Sequence, residues 1–152
     1  MDNTEIAALL PHREPFLFVN EILKADKEGI SARYVFTEDA FFFRGHFPQY
    51  PVVPGVILIE TMAQSGGAGL CKLGMVGTES DTLFFLAAVD KVKFRRQVRP
   101  GETVRSEIVN LRVSTSSIKQ AGKAYVGDEL AAEAEWLCLI RRNNGTKTPD
   151  PQ

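Results

Sequence analysis

The chain has 152 residues, 44% apolar and 24% charged, with a net charge of −1. That is the size and composition of one globular domain with its own core, and the near-neutral balance argues against nucleic acid or an anionic membrane as the main partner. The two cysteines, Cys71 and Cys138, make no disulfide framework. The start, MDNTEIAALLPHREP, lacks the basic and apolar regions of a signal peptide, and no run reaches the roughly 20 apolar residues of a membrane span, so a cytoplasmic protein is expected.

In chain order, residues 4–10 (TEIAALL) read as a short amphipathic helix opened by a Thr cap and stopped by Pro11. Aromatic and β-branched enrichment predicts a strand over 16–26, and alternation predicts a second over 30–38, with Ile30, Ala32, Tyr34 and Phe36 on one face. Lys27, Glu28 and Gly29 form the turn between them. Pro54 to Leu73 is the one long helix expected, apolar on all sides and therefore buried. Its glycines at 66, 67 and 69 each cost about 1 kcal/mol of helix propensity, which close approach of another backbone would explain.

After a turn-like stretch, GMVGTESD, the pattern is β: a long strand over 83–98, bent near Asp90, then strands over 102–114, 117–126 and 129–142. Gly127-Asp128 makes a two-residue hairpin, although AAEAE in the last strand also has helix propensity. Residues 1–142 are expected to be one domain and 143–152 a disordered tail. A curved antiparallel sheet around one buried helix, an α+β architecture, satisfies this order.

The chemistry concentrates at residues 41–69, FFFRGHFPQYPVVPGVILIETMAQSGGAG. Glu60 has Val56, Ile57, Ala63 and Gln64 as its helical neighbours, and burial there would favour a protonated carboxyl able to act as an acid. The alternative is a carboxylate at a helix edge paired with an arginine. His46, in RGHFP, is a candidate base; the alternative is a core histidine bonded to a backbone carbonyl. Pro48, Pro51 and Pro54 stiffen the connection between the two. Gly55 opens the long helix, where unpartnered N–H groups stabilise developing negative charge. A base, an acid and an oxyanion donor describe an elimination site; no zinc-spaced ligand set or serine triad is present in the sequence.

Three blocks, LLPHREPFLFVNEI (9–22), FFRGHFPQYPVVPGVILIETMAQ (42–64) and AAVDKVKFRRQVRPGETV (87–104), resemble the signature blocks of the FabZ-type 3-hydroxyacyl-[acyl-carrier-protein] dehydratases of bacterial type II fatty acid synthesis. The resemblance implies a hot-dog fold, six strands around one helix, and a homodimer with a composite active site, often a trimer of dimers. It implies that His46 of one subunit faces Glu60 of the other, whereas the residues alone suggested both in one chain. It further implies His46 as base, Glu60 as acid, Gly55 N–H on the thioester carbonyl and Gln64 orienting Glu60. No cofactor is implied; phosphopantetheine arrives on the acyl carrier protein.

On that resemblance Lys93, Arg95 and Arg96 would dock the acidic carrier, the alternative being a solvated strand face. Phe84 would line the acyl tunnel, the alternative being core packing. Tyr50 would support His46, while His12 would cap or bond a backbone group and Arg13 would pair an acid. The chain departs from the family pattern at Gln97, where a proline is common, at Ala40-Phe41, where an acidic-Pro pair is common, and at Phe84-Phe85, where a tyrosine is common. Glu60, rather than aspartate, favours the non-isomerising branch. A hot-dog thioesterase and a non-catalytic acyl-thioester binding module are the competing functions.

Overall fold

The computed structural model describes residues 3–77 and 81–143. Its elements are α1 (Asn3–Leu9), β1 (Glu21–Ala25), β2 (Gly29–Val35), a 3₁₀ turn (Phe41–Arg44), α2 (Gly55–Lys72), β3 (Thr82–Phe94), β4 (Thr103–Val113), β5 (Ser117–Val126) and β6 (Glu129–Arg142). The six strands form one antiparallel sheet in the order β1-β2-β4-β5-β6-β3, curved around α2. This is the hot-dog arrangement, and it leaves β3 as an edge strand.

The first strand is shorter than its composition suggests. The segment before it is held by other groups: Phe16 N–H donates to Arg13 O at 2.8 Å, and Phe18 N–H donates to Gln64 Oε1 at 2.7 Å. A side chain of α2 thus takes the backbone donor that a strand neighbour would have used. The turn before β2 is closed by Asp26, whose Oδ1 accepts from Glu28 and Gly29 N–H at 2.9 and 3.0 Å. β3 changes register between Asp90 and Lys93, with Lys91 at φ 52°, which is the bend expected near Asp90. AAEAE is strand, because alternation buries Ala132, Ala134, Trp136 and Cys138 against α2 and outweighs local helix propensity. The expected C-terminal tail lies, from 144 onward, outside the described residues.

Within α2 every residue from Ile57 to Cys71 except Glu60 is buried. Thr61 Oγ1 and Ser65 Oγ donate to Ile57 O and Thr61 O one turn back, each at 2.7 Å, so neither hydroxyl is left without a partner. Two of the glycines at 66, 67 and 69, namely Gly66 and Gly69, are explained by side chains of the sheet, not by another backbone as the composition suggested. A Cβ at Gly66 would overlap Gln120 Oε1, and one at Gly69 would overlap Ile30. Gln120 is 1% exposed and needs its own partners: its Oε1 accepts from Trp136 Nε1 at 3.2 Å and its Nε2 donates to Asn110 Oδ1 at 2.8 Å. A polar brace across the sheet therefore occupies the space that a methyl group on α2 would fill. Burial pushes the Cys71 thiol up to about 12 and the Cys138 thiol up to about 11, so both are protonated core side chains.

Candidate active site

Glu60 is the only charged residue of α2 before Lys72, and its side chain is 20% exposed. Helical spacing brings Gln64 onto the same face, and Gln64 Nε2 donates to Glu60 Oε1 at 2.9 Å. The same amide nitrogen donates to Phe16 O at 3.1 Å, while Gln64 Oε1 accepts from Phe18 N–H. Gln64 is 2% exposed, so one buried amide ties the N-terminal loop to α2 and orients the carboxyl.

Glu60 opens onto a narrow cleft of about 30 Å³ between α2 and the strands β3, β5 and β6. Its walls are largely apolar, with Ala63, Gly67, Phe84, Leu86 and Ile118 among them, and its polar members are Glu60, Gln64, His12 and Gln120. Phe84 therefore stands in the same cleft as Glu60. A larger opening of about 570 Å³ lies elsewhere, lined by Glu14, Arg33, Tyr34 and Asp39 among others, and contains none of the candidate residues.

His46 follows the 3₁₀ turn, whose aromatic residues Phe42 and Phe43 are buried and anchor it. Its Nδ1 lies 3.1 Å from Val52 O. A carbonyl only accepts, so Nδ1 carries the ring proton and Nε2 presents a lone pair. A histidine bonded to a carbonyl in this way keeps a lone pair able to accept a proton, so the two readings do not exclude each other. The ring stacks on Phe47 at 4.3 Å, and Phe47 is 57% exposed. His46 does not line the cleft that Glu60 lines.

Gly55 opens α2 after Pro54, with its N–H in the turn that has no acceptor within the helix. A Cβ there would come within 2.7 Å of the Phe94 ring, so glycine lets this half-exposed strand side chain lie against the helix end. Tyr50 OH donates to Gln97 Oε1 at 2.9 Å and Arg99 stacks on its ring at 4.3 Å, also donating from a guanidinium nitrogen to the hydroxyl. The glutamine standing where the family commonly has proline thus ties the His46 loop to the end of β3.

The basic strand is less free than its sequence suggests. Arg96 donates to both carboxylate oxygens of Glu102, at 2.7 and 2.9 Å, and to Glu129 at 3.0 Å; Arg95 pairs with Glu133 at 3.3 Å. Lys93, directly opposite Glu133, is exposed.

Sequence reasoning misassigned His12 and Arg13. His12 caps nothing: its Nε2 lies 3.6 Å from Glu60 Oε1, and its Nδ1 is buried with no hydrogen-bond partner. Arg13 donates to the carbonyls of Leu10 and His12, at 2.8 and 2.7 Å, because those loop oxygens have no strand partner. The signal for His12 was present in the sequence: it sits in a short loop between Pro11 and Pro15.

The family model described as FabA-like domain matches residues 10–135. The 3-hydroxyacyl-[acyl-carrier-protein] dehydratase FabZ of Caulobacter vibrioides is 43% identical over 142 residues, which cover 92% of this chain and 88% of that protein. The protein of the same name from Desulforamulus reducens is 42% identical over 142 residues, covering 92% and 97%. Among solved structures, the dehydratase heterocomplex ApeI:P from Xenorhabdus doucetiae matches with TM-score 0.76 at 14% identity, covering 91% of each chain. A putative thioesterase from Ralstonia eutropha matches with TM-score 0.57 at 16% identity, covering 78% and 83%. At those identities the two structures are alike in fold.

Proposed function

This chain belongs to the family of FabA-like domains, and on that premise we propose that it is a 3-hydroxyacyl-[acyl-carrier-protein] dehydratase. It removes water from a 3-hydroxyacyl thioester and releases the trans-2-enoyl thioester. His46 Nε2 takes the proton from C2, and electron density moves onto the thioester carbonyl, which Gly55 N–H holds. The C3–O bond then breaks, and Glu60 gives its proton to the departing hydroxyl, which leaves as water. His46 ends protonated and Glu60 ionised, and solvent resets both.

The single observation that carries this reading is a lone carboxyl, oriented by a buried amide, at the polar end of an apolar cleft. The acyl tail lies in that cleft against Phe84, and the phosphopantetheine arm comes with the substrate, so the chain needs no cofactor of its own. His46 and Glu60 of one chain do not share a cleft; the base comes from the partner protomer across the exposed edge of β3. Lys93 steers the acidic carrier, while Arg95 and Arg96 first hold the strand end and turn.

The test is enoyl formation from 3-hydroxyacyl carrier protein by wild type, Glu60→Gln and His46→Ala. Each variant loses on the order of 10²–10⁴-fold in kcat. Wild-type rates in Glu60→Gln would remove the acid assignment, and release of free thiol without enoyl absorbance would make the protein a thioesterase.

A further inference from the structure

One titratable side chain outside the proposed catalytic pair faces the acid itself. His12 sits in the loop after α1, which Arg13 braces through Leu10 O and His12 O and which Gln64 pins through Phe16 and Phe18. Its Nε2 lies 3.6 Å from Glu60 Oε1, with both side chains 20% exposed. Its Nδ1 is buried and unpartnered. A bare lone pair is tolerated in such a place better than an unbonded N–H, so the neutral ring carries its proton on Nε2, toward the carboxyl. Burial holds the imidazole below its ordinary range; Glu60 on α2 pulls it back up and neighbouring Arg13 pushes it further down.

We propose that His12 is a positioning residue for the acid, its Nε2–H closing onto Glu60 Oε1 as the carboxyl gives up its proton. At 3.6 Å the contact is too long for a hydrogen bond, and such distances tighten in the reacting complex. Gln64 Nε2 already donates to the same oxygen. With two donors aimed at Oε1, the transferable proton belongs on Oε2, which is the oxygen left to meet the substrate hydroxyl. His12 stays neutral throughout and moves no proton; it stabilises charge that appears on Glu60 only as the C3–O bond breaks. The inference rests on Glu60 being the acid.

The first measurement uses wild-type protein: imidazole 15N correlations at pH 7 should give His12 as the Nε2–H tautomer. An Nδ1–H tautomer or a charged ring would overturn the inference. The second compares His12→Gln, which keeps a side-chain N–H, with His12→Phe, which keeps the ring shape without a donor. Phe should lower kcat on the order of 10–100-fold with KM nearly unchanged, and Gln should recover most of that loss. An undiminished kcat in Phe, or an equal loss in both soluble variants, would sink the idea; if Phe fails to fold, the wild-type tautomer decides. Full activity in Glu60→Gln would defeat the acid assignment whichever tautomer is seen, whereas a wrong tautomer beside an inactive Glu60→Gln defeats only the role of His12.

Discussion

Two adjacent glycines on one helix differ in what they face. Gly66 faces Gln120, whose amide is committed to Trp136 and Asn110, so Gly66→Ala must displace a buried, bonded group. Gly67 faces Leu10 at 3.6 Å, an ordinary contact. Urea unfolding should therefore find Gly66→Ala less stable by about 1–3 kcal/mol, while Gly67→Ala gains up to about 1 kcal/mol from helix propensity. Because Gly67 lines the cleft, the stabilised variant should turn over long acyl chains more slowly than short ones. The buried amide of Gln64 admits a similar test. Gln64→Leu leaves Phe18 N–H buried without its acceptor, which should cost about 1–3 kcal/mol, and it frees the Glu60 carboxyl, so kcat should fall as well.

Between β3 and β4 the chain turns on one ion-pair cluster. Arg96 holds both oxygens of Glu102, which also accepts from Arg99 N–H at 2.8 Å. Arg96 is the main reason the Glu102 carboxyl sits below its ordinary value of 4.5. A depressed carboxyl contributes stability that is present above its unfolded value and lost as pH falls through the folded one. Glu102→Gln should therefore lower the thermal midpoint at pH 7, and the gap to wild type should close below about pH 4.5. The cluster also divides the basic strand by role. Lys93→Gln, which removes the charge without setting a second carboxylate opposite Glu133, should raise KM for carrier-borne substrate, an effect that added salt weakens, with the thermal midpoint nearly unchanged. Arg96→Ala should lower the thermal midpoint first.

For the whole molecule, the β3 edge of the sheet, unpaired among the described residues, is the feature to explain. β3 presents Phe85, Leu86 and Phe94 at 52%, 43% and 54% exposure on a strand with a free hydrogen-bonding side. Such an edge invites another strand, and a two-fold pairing would present the same residues from both copies. Mixing inactive protomers gives a direct test of the composite site. His46→Ala and Glu60→Gln, unfolded together and refolded in equal amounts, should recover about a quarter of wild-type activity. Half the dimers would be mixed, each with one intact site of two. Activity that stays at the level of the separate variants would place base and acid in one chain. Light scattering on the same samples reports whether the dimer forms.

Read alone, the sequence was sufficient for the buried helix and the succession of strands along the chain, because hydrophobic period and proline placement are local properties of the chain. It also contained Gly55, Glu60 and Gln64 as neighbours, since the three sit within ten residues on one helix. What only the tertiary structure decided involves partners far apart in sequence: Gln64 bonding Phe18 across 46 positions, Gln120 filling the space at Gly66, Arg96 committed to Glu129, and His12 brought to Glu60. A hydrogen bond depends on distance and direction between two groups, and neither is set until the sheet has closed around the helix.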